Sequence, residues 1–301
     1  MRRLSLIALM LVIIAGALPT LFNQSGSGLG AAAGNSVFLL AAGDIAFCDS
    51  VKDEATARIL DRVGGRIATL GDHAYRSGTA DEFARCYGPS WGRHKNRTWP
   101  AVGNHEYGTP GAADYFAYFG RRAGPVGKGY YSYDHGAWHV VVLNSNCVEV
   151  GGCGPGSPQE AWLRADLAAH PARCTLAYWH HTLFSSGTDH GGTDEVRPLW
   201  DALFAYGADI VLSAHEHSYE RFAPQDPAGA ANPERGIRQF VVGTGGARLY
   251  EFGPAVANSE VRIADKFGVL KLRLNRAGYA WRFIAAGPDG ILDAGNGSCH
   301  R

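Results

Sequence analysis

The chain has 301 residues, with 28 basic against 28 acidic side chains, 12 histidines, 6 cysteines and 40 glycines. Hydrophobic residues make up 46% and charged ones 19%, enough apolar material for one large core or two medium ones. The zero formal charge excludes the broad pull of a nucleic-acid coat protein or a polybasic membrane binder, and the composition excludes collagen, coiled coil and disordered chains.

At the start of the chain, Arg2 and Arg3 precede an apolar run from Leu4 to Leu18, which Pro19 and Thr20 break. A short positive region followed by such a run has the shape of a secretory signal peptide. The stretch to Phe22 also suffices for an uncleaved anchor. Residues 1–22 are therefore expected to export the chain, leaving it secreted or extracytoplasmic and tethered to the membrane only if the anchor is kept. Residues 23–36, mostly Gly, Ser, Ala and Asn, read as a flexible linker. With no internal repeat or second linker, residues 37–301 are expected to form a single domain. An even number of cysteines in an exported chain suits three disulfides. Cys147 and Cys153, which flank a glycine-rich loop, are the nearest pair.

From Val37 onward, short apolar runs alternate with amphipathic stretches. Val37–Ala42, Arg66–Leu70, Trp138–Leu143, Cys174–Trp179, Asp209–Ser213 and Gln239–Val242 have the branched and aromatic content of buried strands. Between them, Ala55, Ile59, Leu60 and Val63 have helical spacing, as do Leu199, Trp200, Leu203 and Phe204. Ser157-Pro158-Gln159-Glu160 opens another helix, with a capping serine, proline at the first position and an acid in the first turn. The runs Gly268–Leu274 and Tyr279–Ile284 predict a hairpin across Asn275 to Gly278. Strands alternating with helices make this an α/β chain.

Chemistry collects where the strands end. The apolar runs lead into Gly43-Asp44, Gly71-Asp72, Gly103-Asn104-His105, His180-His181 and His215-Glu216-His217. One Gly-Asp is most often a turn, and one Asn-His is ordinary loop polarity. Five such ends in one α/β chain are different, because ligands gather where the carboxyl ends of strands converge. His215 and His217 point the same way on an extended segment, and carboxylates with imidazoles suit Zn, Fe or Mn.

In this order, Gly43-Asp44, Gly71-Asp72-His73-Ala74-Tyr75, Gly103-Asn104-His105-Glu106, Trp179-His180 and His215-Glu216-His217 resemble the calcineurin-like metallophosphoesterases. Tyr75 and the run His217-Ser218-Tyr219-Glu220-Arg221 resemble their purple acid phosphatase branch. One departure is Ala214, where that family has Gly before the first histidine. The resemblance implies a two-sheet β-sandwich flanked by helices and a centre of two metal ions, trivalent iron with Zn, Mn or divalent iron. It assigns Asp44, Tyr75 and His217 to the first ion and Asn104, His180 and His215 to the second, with Asp72 bridging them. Two such cations clamp the attacking and leaving oxygens of a phosphoryl transfer and turn water into a hydroxide nucleophile.

The resemblance also gives His105 and His190 catalytic roles, with Asn104, His105, His181 and His190 against the substrate. Glu106 and Glu220 are expected to fix imidazole orientation. The implied activity is hydrolysis of small phosphate monoesters, as in acid phosphatases. A phosphodiesterase on the same metals, or a silent phosphate-binding envelope protein, are the alternatives. Without a basic stripe, no nucleic-acid partner is expected. Gly243-Thr244-Gly245-Gly246 lacks the Lys-Ser/Thr of a phosphate loop, and the resemblance implies that it closes the sheet near the centre. Trp91, Trp99, Tyr130, Tyr131 and Tyr133 are expected in the core, with a pocket wall as the other reading.

Overall fold

The computed structural model describes residues 36–300. The signal or anchor segment 1–22 lies outside the described residues, as do the linker up to Asn35 and the terminal Arg301. In chain order the strands are β1 (Val37–Ala42), β2 (Ala46–Phe47), β3 (Arg66–Leu70), β4 (Ala74–Tyr75), β5 (Thr98–Ala101), β6 (Tyr131–His135), β7 (Trp138–Val142) and β8 (Cys174–His181). They continue as β9 (Ile210–Ala214), β10 (Tyr219–Phe222), β11 (Arg238–Val242), β12 (Ser259–Ile263), β13 (Gly268–Asn275), β14 (Gly278–Ala285) and β15 (Ile291–Ser298). The α-helices are α1 (Lys52–Arg62), α2 (Ala80–Glu82), α3 (Ala113–Phe119), α4 (Pro158–Ala169) and α5 (Arg197–Ala205).

The expected sandwich is present. One sheet runs β15-β14-β13-β1-β3-β5 and the other β12-β10-β11-β9-β8-β7-β6. Successive residues of a strand face opposite sides of the sheet. On β8, Cys174, Leu176 and Tyr178 join the core shared by both sheets, while Ala177 and Trp179 face a second core under α4 and α5. Strands buried on both faces read as unbroken apolar runs, which is why they were legible. The hairpin closes as expected, with Asn275 paired to Gly278. Ser157 caps α4 by accepting from the Glu160 N–H, and Pro158 begins the helix.

Two boundaries differ in a way that matters. The run expected to stop at Trp179 continues to His181, so His180 is held inside a strand rather than on a loop. The run expected over Asp209–Ser213 starts at Ile210 and ends at Ala214, one residue short of His215. Strands β1, β3 and β5 are mutually parallel, as are β7, β8, β9 and β11. Their carboxyl ends therefore deliver the polar residues that follow each of them. Cys147 pairs with Cys153 as expected, Cys48 pairs with Cys86, and Cys174 pairs with Cys299.

A polar tie joins β6, β7 and α4. The buried His139 ring lies 3.2 Å from Asp134 and 2.7 Å from Asp166, and Asp166 also accepts from the Ser132 hydroxyl. His170 stacks on His139 at 4.7 Å. Burial alone would lower the His139 pKa, but Asp166 and then Asp134 hold it above the usual histidine value. A raised folded-state pKa stabilises fully below the unfolded value of about 6.5, and the gain is lost as pH rises through the folded value. His139→Gln should therefore cost more melting temperature at pH 5.5 than at pH 9, as thermal unfolding at the two pH values will measure.

Candidate metal centre

Three candidate ligands sit at strand ends in backbone conformations that side-chain-bearing residues rarely adopt. Asp44, Asp72 and His215 have φ of 58°, 53° and 72°. Each such residue costs roughly 1–3 kcal/mol and persists only where the surroundings enforce it. Here hydrogen bonds do so. Asp44 N–H donates to the Gly71 carbonyl, Ile45 N–H to the Asp72 carbonyl, and His215 N–H to Asp44 Oδ2 at 3.0 Å. Glycines give the carboxylates room. A side chain at Gly103 would place its Cβ 2.1 Å from Asp72 Oδ1, and one at Gly243 would come within 2.6 Å of Asp44 Oδ2. The Gly243-Thr244-Gly245-Gly246 stretch, expected to close the sheet near the centre, follows β11 directly and donates from the Gly245 N–H to the Gly43 carbonyl. The departure at Ala214 is absorbed in the same way, because its methyl packs where a Cβ on Gly43 would stand.

The donor atoms fall into two groups that meet at Asp72. In one, the Tyr75 hydroxyl lies 2.9 Å from Asp44 Oδ1, 3.2 Å from Asp72 Oδ2 and 3.1 Å from His217 Nε2. His217 Nε2 is itself 3.3 Å from Asp44 Oδ1. In the other, His180 Nε2 lies 3.0 Å from Asn104 Oδ1, 3.1 Å from His215 Nδ1 and 3.2 Å from Asp72 Oδ2. Asp72, His180 and His215 present ligand atoms all within 4.8 Å of one another. All seven residues named from the sequence are thus brought together, in the two sets expected, with Asp72 between them.

Their chemistry fits a pair of cations. His180 Nδ1 faces the Leu70 carbonyl at 2.8 Å, and His217 Nδ1 faces the Arg248 carbonyl at 2.5 Å. A carbonyl accepts the Nδ1 proton, so the Nε2 lone pair of each ring points into the cluster, as a ligating histidine requires. Burial should raise the carboxyl pKa of Asp44 and Asp72, but His217 for Asp44 and His180 for Asp72 hold both below the usual range. Burial should lower His180, but Asp72 raises it to about 9. Burial, and then the two carboxylates, push the Tyr75 phenol well above its usual value. Burial, and then His180, push His215 far down. A cation bound there would take the place of the ring protons that otherwise balance the two buried carboxylates.

The remaining histidines border this cluster. The His105 ring lies 4.4 Å from the Tyr75 ring, its Nδ1 faces the Arg76 carbonyl at 2.5 Å, and its Nε2 is 3.8 Å from Asp72 Oδ2. The His190 ring stacks on His215 at 4.0 Å. His181 lies 4.3 Å from the same ring and its Nδ1 is 2.8 Å from the Ser145 hydroxyl. Burial, and then His180, push its pKa down to about 3, so it is neutral.

The acids do something other than expected. Neither Glu106 nor Glu220 orients a candidate ligand's ring; backbone carbonyls take that role. Fully buried Glu106 accepts from the backbone N–H groups of Gly103, Asp72 and His73 at 2.7, 3.0 and 2.8 Å, and so pins two ligand loops to each other. Glu220 accepts from the Ser186 N–H and hydroxyl and from the Ser259 hydroxyl. Glu216 was not singled out from the sequence, yet it accepts from the His190 and Gly191 N–H groups and ties the His190 loop to the His215–His217 turn. Its position between two ligating histidines was the available signal. Tyr250, stacked on His217 at 4.1 Å, carried none. Of the aromatics expected in the core, Trp91 and Tyr130 are buried, whereas Trp99, Tyr131 and Tyr133 border a separate cavity of about 550 Å³.

A family model described as calcineurin-like phosphoesterase matches residues 17–219. An uncharacterized protein of Mycobacterium tuberculosis is 30% identical over 203 residues, which cover 62% of this chain and 35% of that protein. Purple acid phosphatase 15 of Arabidopsis thaliana is 28% identical over 223 residues, covering 60% of this chain and 40% of the relative. The matched region thus spans well under half the length of these relatives. Among solved structures, purple acid phosphatase PPD1 from yellow lupin (Lupinus luteus) seeds has a TM-score of 0.71 at 18% identity, covering 88% of this chain and 54% of that one. At that identity the likeness concerns the fold.

Glu106 provides a test of how the loops are held. Glu106→Ala leaves three backbone donors unpaired in a dry site and should lower stability by about 3 kcal/mol. Glu106→Gln keeps one acceptor oxygen and should lower it by less. Urea unfolding of both variants measures the difference, and bound metal measured on the same samples should fall in the same order.

Proposed function

The chain belongs to the calcineurin-like phosphoesterase family, and from that premise we propose that it is an exported, metal-dependent phosphatase that hydrolyses phosphate monoesters at a two-metal site. The observation that carries this reading is the shared carboxylate. Asp72 Oδ2 lies 3.2 Å from both Tyr75 and His180, the innermost members of two separate donor sets. The pairing of all six cysteines supports an oxidising compartment, in keeping with the apolar segment at Leu4–Leu18. No helix among the described residues is long and apolar enough to cross a membrane.

In this reading Asp44, Tyr75, His217 and Asp72 hold one ion, and Asn104, His180, His215 and Asp72 hold the other. Bound there, the ions supply positive charge that polarises the phosphoryl group and makes water acidic. The protein's own part is positioning. Asn104, His105, His181 and His190 ring the donor sets, where they would hold the phosphoryl oxygens. His105, on the Tyr75 side, and His190, over His215, are the groups placed to pass a proton to the leaving oxygen. Neutral His181 is a hydrogen-bonding partner rather than a charge. Because two carboxylates push the Tyr75 phenol above its usual pKa, its ionisation calls for a highly charged ion. Trivalent iron with Zn, Mn or divalent iron as its neighbour meets that need.

Turnover of p-nitrophenyl phosphate and bis-p-nitrophenyl phosphate, compared on one metal-loaded preparation, tests the reaction class. The monoester should be clearly preferred. A diester preference would make the protein a phosphodiesterase, and inactivity on both with metal bound would overturn the reading.

Removing the shared carboxylate tests the site. Asp72→Ala should lose bound metal, by elemental analysis, together with turnover, which should fall below about one part in 10³. If the ion beside Tyr75 is trivalent iron, the protein is coloured, and Tyr75→Phe should lose the visible absorption band.

A further inference from the structure

A cavity of about 720 Å³ opens beside the metal centre, with Tyr75, His105 and His217 in its floor. Its walls hold three cations, Lys52, Arg76 and Arg248, and all three side chains are exposed. Some arginines elsewhere on this surface are matched to acids, as Arg93 is to Glu54 and Asp61 and Arg221 to Asp293, and others lean on aromatic rings, as Arg66 and Arg122 do on Trp99. Among the described residues, no carboxylate forms an ion pair with Lys52, Arg76 or Arg248. Asp49 also lines the cavity but is not paired with any of them. Each cation leans instead on an aromatic face. Lys52 lies 6.0 Å from the Phe267 ring, Arg76 5.8 Å from Phe47 and Arg248 5.6 Å from Tyr250. These rings are tied to the centre, since Phe47 stacks on Tyr75 at 4.5 Å and Tyr250 on His217 at 4.1 Å.

Unmatched cations over aromatic faces, next to a site that holds a phosphoryl group, make a receptor for what leaves that phosphoryl group. We propose that this cavity selects phosphate esters whose leaving group is a planar or apolar body carrying an anionic group of its own, with Lys52, Arg76 and Arg248 as the specificity-determining residues. The inference rests on the phosphatase reading above and adds the class of leaving group to it. In the reaction one water is consumed. A bond forms between its oxygen and phosphorus, the bond from phosphorus to the leaving oxygen breaks, and that oxygen takes a proton. The second anion stays on the departing alcohol or phenol throughout, so the three cations act on binding and orientation, not on the bond that breaks.

Phenyl phosphate and 4-(carboxymethyl)phenyl phosphate test this, because they differ by one carboxylate that a methylene insulates from the ester oxygen. On the metal-loaded protein the carboxylated ester should have roughly tenfold the kcat/KM of its parent, the size of one charge-assisted hydrogen bond. The advantage should shrink as salt is raised. In Lys52→Ala/Arg76→Ala/Arg248→Ala, whose fold is checked by thermal melting, the ratio of the two kcat/KM values should fall to near one. Equal kcat/KM values in the parent protein, or a ratio unchanged in the triple variant, would overturn the inference and leave the phosphatase reading standing. No turnover of either ester would overturn both.

Discussion

The carboxylate of Asp72 is the point on which the site depends. It is 1% exposed, yet Oδ1 accepts from the His105 N–H and Oδ2 faces both Tyr75 and His180. The Asp72 N–H donates to Glu106 and its carbonyl accepts from Ile45. A buried carboxylate survives only with such partners. Because those partners come from its own segment and three others, around Ile45, at His105-Glu106 and at the end of β8, satisfying one charge fixes their relative positions. The uncommon backbone conformations of Asp44, Asp72 and His215 follow from this. A strand that simply continued would carry its side chain onto a sheet face, whereas a left-handed residue at the strand end turns it across the mouth of the sandwich.

The sandwich in turn explains why so polar a centre is tolerated. Apolar residues on both faces of β1, β3, β8 and β9 hold the strands in parallel register, and the disulfides tie distant parts of the chain to that frame. The Cys174–Cys299 bond anchors the first residue of β8 to the C-terminal segment, at the end of the strand opposite His180. A strand gripped along its length and at its start presents its last residues with little freedom. That is the preorganisation a metal site or a phosphoryl transfer centre requires.

Much of this was legible because the informative residues are of unusual kinds in unusual order. Asp44, Asp72, Asn104, His180, His215 and His217 each follow or end an apolar run, and Tyr75 stands at a fixed distance from Gly71. What the sequence misjudged was the supporting shell. Glu106 does face an imidazole, that of buried His73 at 3.3 Å, but the rings of His180 and His217 are oriented by the carbonyls of Leu70 and Arg248, and every residue has a carbonyl. Glu216 stands between two histidines in the sequence, and only the fold shows that its carboxylate holds the His190 loop. Lys52, Arg76 and Arg248 look like ordinary surface charges until the fold gathers them around one cavity beside Tyr75.

The sequence by itself thus pointed to the α/β class and to eight of the fifteen strands among the described residues, and its motif order resembles a family whose pattern implies the seven candidate ligands and their division into two sets. Those features rest on local periodicity and on an order of motifs along the chain. Only the tertiary structure decided which cysteines pair beyond Cys147 and Cys153, what each buried acid holds, and that His181 is neutral. It also gathered three unmatched cations around the cavity beside Tyr75. Pairing, burial and charge balance are properties of what lies opposite a residue in space, and residues far apart in the chain supply it.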